Sequence, residues 1–178
     1  FLKELYTENL NNMIYKKLII LLLIFNNVSC GIYSFNGASV NEDVKTIKVN
    51  YISNKSSLAQ PQLSSLLTEQ LIDKFQSETN LLITDDHAHV IFSGSIVKYD
   101  IKPVSIQNNE IAAQNRLTIS VEIEHINNID EKLGFKKIFN DYIDFDSSET
   151  LSEIEEDLNI EIVNNLVEDI FNEAFMNW

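Results

Sequence analysis

Two histidines, His87 and His89, stand two residues apart in the stretch TDDHAHV that runs from Thr84 to Val90. On an extended chain that spacing puts both imidazoles on one face, where they could chelate a metal, with Asp85 and Asp86 as nearby oxygen donors. A metal site needs a third placed ligand, and none follows, so the same residues equally describe a polar loop entering a strand. Asp144 and Asp146 lie in DYIDFDSSET, without the spaced oxygens and glycine of a calcium loop. Their expected role is in the turn and cap before a helix. His125 has no nucleophile beside it, and the chain has neither Gly-x-Ser-x-Gly nor a glycine-rich phosphate loop. No catalytic residue, metal or cofactor is assigned, and the chain is read as a non-enzyme.

The cations carry a different chemistry. Lys98, Lys102 and Arg116 bracket the connection over residues 101–115, and Lys136 and Lys137 lie on the next strand. In an antiparallel meander these fall on neighbouring strands as a sparse positive patch. Such a patch fits anionic phosphates, for example those of a glycolipid headgroup. Lysines at strand edges also serve simply to discourage unwanted pairing.

The single cysteine, Cys30, follows the most hydrophobic segment of the chain. Eight apolar residues run from Leu18 to Phe25, preceded by Lys16 and Lys17 and stopped by Asn26 and Asn27. A spanning helix needs about 20 apolar residues, so this is a secretory signal with basic, apolar and small-residue regions in order. Met13 opens it. Residues 1–12 are expected to be an upstream extension rather than native, residues 13–29 the signal peptide, and 30–43 a lipidated N-terminal segment. Asn27-Val28-Ser29-Cys30-Gly31 resembles a bacterial lipobox, which implies cleavage before Cys30 and acylation of its thiol and new amino group. Three acyl chains exceed what stable membrane anchoring requires. Gly31 rather than an aspartate after the cysteine implies, by resemblance to lipoprotein sorting, the outer membrane and its periplasmic face.

Residues 44–178 are one domain's worth of chain. The whole sequence carries 13 basic and 27 acidic residues, a charge of −14. Removing residues 1–29 takes away three lysines and two glutamates, leaving 10 basic and 25 acidic residues and a charge of −15. That balance argues against nucleic acid, whose phosphates demand cations. From Asp141 to Trp178 there are twelve acidic residues and no lysine or arginine.

Hydrophobic period sets the elements that must position these residues. Val44–Ile52 alternates at Ile47, Val49 and Tyr51 and predicts a strand. Pro61 opens a helix whose Leu63, Leu66, Leu67, Leu71 and Phe75 share a face. His89–Ile101 predicts a strand apolar on both faces, with a bulge at Gly94. Arg116–Ile126 alternates cleanly, Leu117, Ile119, Val121 and Ile123 inward, before a turn at Asn127-Asn128. Phe135–Phe145 is a further strand with Phe135, Phe139 and Tyr142 among its apolar positions. Thr150 to Glu153 predicts a capping box for a long helix striped by Ile154, Leu158, Ile162, Leu166, Ile170 and Ala174. The order β-α-β-β-β-α predicts an α+β two-layer sandwich, a four-stranded sheet with two helices packed on one face.

The sequence then resembles the lipopolysaccharide-assembly lipoproteins, the LptE family. The resemblance rests on CGIYSFNG after the signal (residues 30–37), NRLTISVEIE (115–124) and the closing stretch from Phe145 to Trp178, in this order. It implies a four-stranded sheet with two helices on one face. It also implies a domain that plugs the lumen of a large outer-membrane LPS-assembly β-barrel, helps it fold, and with it places lipopolysaccharide in the outer leaflet. Barrel lumens are polar, which suits a water-soluble plug; acidic faces would complement a basic lumen. Some family members contact lipopolysaccharide through basic residues; here Lys102 and Arg116 lead, followed by Lys98, Lys136 and Lys137. Residue chemistry alone leaves open a periplasmic lipoprotein that binds a soluble ligand or inhibits a hydrolase, and a metal enzyme built on His87 and His89.

Overall fold

The computed structural model describes residues 40–58, 60–104 and 114–176. The segment expected to be a signal peptide, residues 13–29, and Cys30 lie outside them. The described elements are β1 (Thr46–Val49), β2 (Ser53–Asn54), α1 (Pro61–Glu78), β3 (Leu82–Ile83), β4 (Val90–Val104), β5 (Gln114–Asn127), a 3-10 turn (Glu131–Leu133), β6 (Phe135–Asp146) and α2 (Leu151–Phe175).

The long strands form an antiparallel meander, β4 to β5 to β6, and β5 keeps one register with β6 from His125 opposite Phe135 to Gln114 opposite Asp146. β1 lies parallel to β4 and to β3, and the sheet runs β3-β1-β4-β5-β6 with β2 also against β4. Parallel neighbours need a crossover, which α1 supplies between β1 and β4. The fold is therefore α+β, two helices packed against a mixed open sheet. The sheet has six strands rather than the expected four, because two-residue strands carry no periodic pattern.

The first strand is shorter than its alternation suggests. Ile47 is buried, yet Tyr51 is 59% exposed and Ile52 is fully buried, so the phase reverses between Val49 and Ile52. The cause is Thr68 on α1. Its hydroxyl donates to the Ser64 carbonyl at 2.7 Å and accepts the Ile52 N–H at 3.0 Å, pulling Ile52 under the helix.

The bulge in β4 lies between Ile96 and Lys98, not at Gly94. An inserted residue flips the facing of everything beyond it. Inward positions are Val90, Phe92 and Ile96 before the bulge and Tyr99 after it, which is why both parities of the sequence look apolar. Gly94 answers a different need: a Cβ there would strike the Glu122 carbonyl and come within 2.8 Å of Ile123 Cδ1.

Both helices cover one sheet face. α1 buries Leu63, Leu67, Leu71 and Phe75, and α2 buries Ile162, Val163, Leu166, Val167, Ile170, Phe171 and Phe175. The α2 stripe is wider than predicted, since this helix packs against both the sheet and α1. Phe75 centres an aromatic cluster, 4.6 Å from Phe92, 6.1 Å from Phe171 and 5.7 Å from Phe175 between ring centroids. Fully burying such a ring contributes about 2–3 kcal/mol. Thr150 is the N-cap of α2, but its side chain does not complete the expected box; the Glu153 N–H bonds the Thr150 carbonyl instead. Among the described residues no helix is long and apolar enough to cross a membrane.

Candidate functional site

The sheet face opposite the helices gathers the cations. Alternation along β5 sends Leu117, Ile119, Val121 and Ile123 to the core and Arg116, Thr118, Glu122 and Glu124 to the opposite face, with Ser120 on that same side but buried. Register then sets their neighbours: Arg116 lies between Lys102 on β4 and Asp144 on β6, and Thr118 between Asp100 and Tyr142. The β4 bulge matters here, because it brings Lys98 and Lys102 onto the same face as Arg116.

Arg116 holds Asp144 with two bonds, Nε to Oδ1 at 2.6 Å and Nη2 to Oδ2 at 2.8 Å. Its guanidinium carbon stands 3.7 Å from the centre of the Tyr142 ring, a stacked arrangement that a lysine could not reproduce. Lys102 Nζ meets Asp100 at 2.7 Å, and Lys98 Nζ approaches the same carboxylate at 3.7 Å. The hydrogen bond from Lys102 holds the Asp100 carboxyl below its ordinary range, and Arg116 does the same for Asp144. Three cations thus face two carboxylates, leaving one net positive charge on an acidic protein. The Lys102 side chain, 72% exposed against 48% for Lys98 and 37% for Arg116, is the most accessible of the three to an incoming anion, which would compete with Asp100 for it.

Lys136 shares the open face but sits toward the other end of the sheet, 3.3 Å from Glu122. Lys137 does not join the patch. Odd-numbered residues of β6 point to the helices, and Lys137 bonds Glu173 on α2 at 2.7 Å. Tyr142, expected among the apolar positions, is on the open face and half exposed; the inward apolar residues of β6 are Phe135, Phe139, Ile143 and Phe145.

Of the histidine pair, His89 is engaged by backbone and His87 is exposed. His89 Nδ1 accepts the Lys45 N–H at 2.9 Å, and Lys48 Nζ donates to the Asp85 carbonyl at 2.7 Å. Among the described residues no group of three or more His, Cys, Asp or Glu side chains is placed to hold a metal ion. Asp146 is a turn residue as expected, its Oδ1 accepting the Ser148 N–H at 2.8 Å and hydroxyl at 2.6 Å. Asp144 instead serves Arg116.

Sequence reasoning found no catalytic partner for His125 but did not place it in the core. It is 2% exposed, stacked 4.6 Å from Phe92 and 5.0 Å from Phe135. Neither ring nitrogen has a well-formed hydrogen bond; burial pushes its pKa down to about 4, offset slightly by the Leu133 backbone. The alternation of β5, extended two residues past Ile123, marks it as inward. A second overlooked contact joins three elements: Glu155 on α2 accepts the Tyr99 hydroxyl and the Gln60 side-chain amide, each at 2.6 Å.

A family model described as LptE, lipopolysaccharide-assembly, matches residues 44–174, a span that enters just before β1 and ends in the last turn of α2. No curated protein sequence matches the chain. Among solved structures, the hypothetical protein CT253 of Chlamydia trachomatis is similar at a TM-score of 0.51 and 8% identity, over 75% of this chain and 99% of that one. Protein XCC0632 of Xanthomonas campestris is similar at a TM-score of 0.51 and 7% identity, over 78% and 90%. A minor lipoprotein of Acinetobacter baumannii reaches a TM-score of 0.45 at 11% identity, over 74% and 92%. At these identities the two better-matched structures show a shared fold alone.

Proposed function

The chain belongs to the LptE lipopolysaccharide-assembly family, and from that premise we propose that it is an outer-membrane lipoprotein that plugs the LPS-assembly β-barrel. Membership implies a role in lipopolysaccharide assembly in the bacterial envelope, and the family is non-catalytic. The finer reading has Cys30 acylated and holding the domain on the periplasmic face. The domain enters the barrel lumen and supports lipopolysaccharide transport to the outer leaflet. The observation that carries it is the reach of the family match, which covers the sheet and both helices rather than one motif. A polar, acidic exterior is compatible with a water-filled lumen.

Within this reading Lys102, Lys98 and Arg116 are the lipopolysaccharide-phosphate contacts, with Lys136 apart from them. Lys137, held by α2, is the weakest of the five. The test is a mild-detergent pull-down of the tagged, membrane-extracted protein, with partners identified by mass spectrometry. A stoichiometric large β-barrel is expected. Recovery of the protein alone, with barrel proteins present in the extract, would overturn the plug reading.

A further inference from the structure

β6 ends the sheet order, and its register with β5 runs unbroken over all twelve residues, without proline or bulge. Hydrogen-bond alternation decides which of its backbone groups are open. The Phe92 carbonyl serves Asn50 on the β1 side, and Asn128 bonds the His89 carbonyl, so even-numbered residues of β5 pair with β4 and odd-numbered ones with β6. On β6 the even-numbered residues, Lys136 through Asp144, therefore turn their N–H and C=O groups away from the sheet. Among the described residues those groups have no partner. Such an edge is a template for an added strand.

The two flanks of the edge differ in chemistry. On the open face Ile138 and Tyr142 are each 51% exposed. On the helix side Asn165 of α2 donates to Asp141 at 2.9 Å. That contact sets one flank of α2 along the edge, with Glu161 and Asp169 exposed one turn to either side of Asn165. Lys136 and Lys137 are drawn away to Glu122 and Glu173. Asp141, Glu161 and Asp169 have no cationic partner among the described residues.

We propose that the β6 edge receives an extended segment of another protein by strand addition, and that this segment alternates apolar and cationic side chains. One set of its side chains would lie beside Ile138 and Tyr142, the other beside Asp141 and beneath Glu161 and Asp169. A second copy of this chain fits less well, because it would set two acidic α2 flanks side by side. The inference does not depend on whether the domain enters a barrel.

The probe is a capped peptide of about nine residues alternating lysine and valine, long enough to match a strand. It is titrated into the full-length protein in detergent and followed by amide hydrogen exchange. Controls are the same peptide N-methylated at alternate amides, a glutamate–valine peptide, and the Asn140→Pro variant. Asn140→Pro removes an outward N–H while keeping every bond to β5. Expected are one-to-one binding, slowed exchange at Ile138, Asn140 and Tyr142, and at least about tenfold weaker binding in each control. No binding, equal binding by the N-methylated or acidic peptide, or undiminished binding to a folded Asn140→Pro protein would each overturn the proposal. So would a dimer of the protein itself that Asn140→Pro dissolves. Should Asn140→Pro fail to fold, the N-methylated peptide still decides.

Discussion

Acidification should destabilise this domain through His125 before the ion-paired carboxylates Asp100 and Asp144 protonate. The imidazole is enclosed by Phe92, Phe135 and Phe175, and burial holds its folded pKa at about 4 against 6.5 for an exposed histidine. The unfolded chain therefore takes up the proton first. Stability from this group is intact above pH 6.5, falls as pH drops through 6.5, and is fully lost by about pH 4. The full difference is about 3 kcal/mol, at about 1.4 kcal/mol for each tenfold change in proton affinity, and roughly 2 kcal/mol of it is gone at pH 5. The ion-paired carboxylates Asp100 and Asp144 are held below 3.8 and lose their contribution only at lower pH. The assay is urea unfolding at intervals from pH 8 to pH 4.5, on the wild type and on His125→Phe. The variant should lose most of the decline between pH 7 and pH 5. Equal declines in the two proteins, or a His125 resonance titrating near pH 6.5, would refute the reasoning.

Further expectations follow from the same geometry. Gly94→Ala should lower stability by about 1–3 kcal/mol through overpacking against the Glu122 backbone and Ile123, read as a lower urea midpoint with unchanged slope. Lys102→Ala should weaken binding of lipopolysaccharide in a pull-down while Lys137→Ala, whose ammonium is engaged with Glu173, leaves it unchanged. Equal loss in both would mean that general charge, not the open-face patch, is being measured. Cys30→Ala should leave the protein unprocessed or release it from membranes, seen by gel mobility and fractionation; unchanged processing and retention would remove the lipoprotein reading.

Where a strand or helix packed evenly on one side, the sequence was enough. The alternation of Arg116–Ile126 and the Leu63–Phe75 stripe are direct records of a half-buried strand and an amphipathic helix, because burial on one face imposes its period on side-chain choice. They yielded the α+β class, the two helices on one face and the order of the long elements. Other features depend on contacts between residues distant in the chain. The Val97 bulge reverses parity with no composition cue, and only the register across β4, β5 and β6 sets Lys102, Arg116 and Asp144 in one row. Lys136 and Lys137 are neighbours in sequence, yet the pleat sends one to the open face and the other to Glu173 on α2. His125 looked like an isolated polar residue at a strand end, and only the packing of Phe92, Phe135 and Phe175 around it made it a buried, uncharged group. Periodicity is a local property of the chain, whereas facing, pairing and desolvation are set by which distant elements meet.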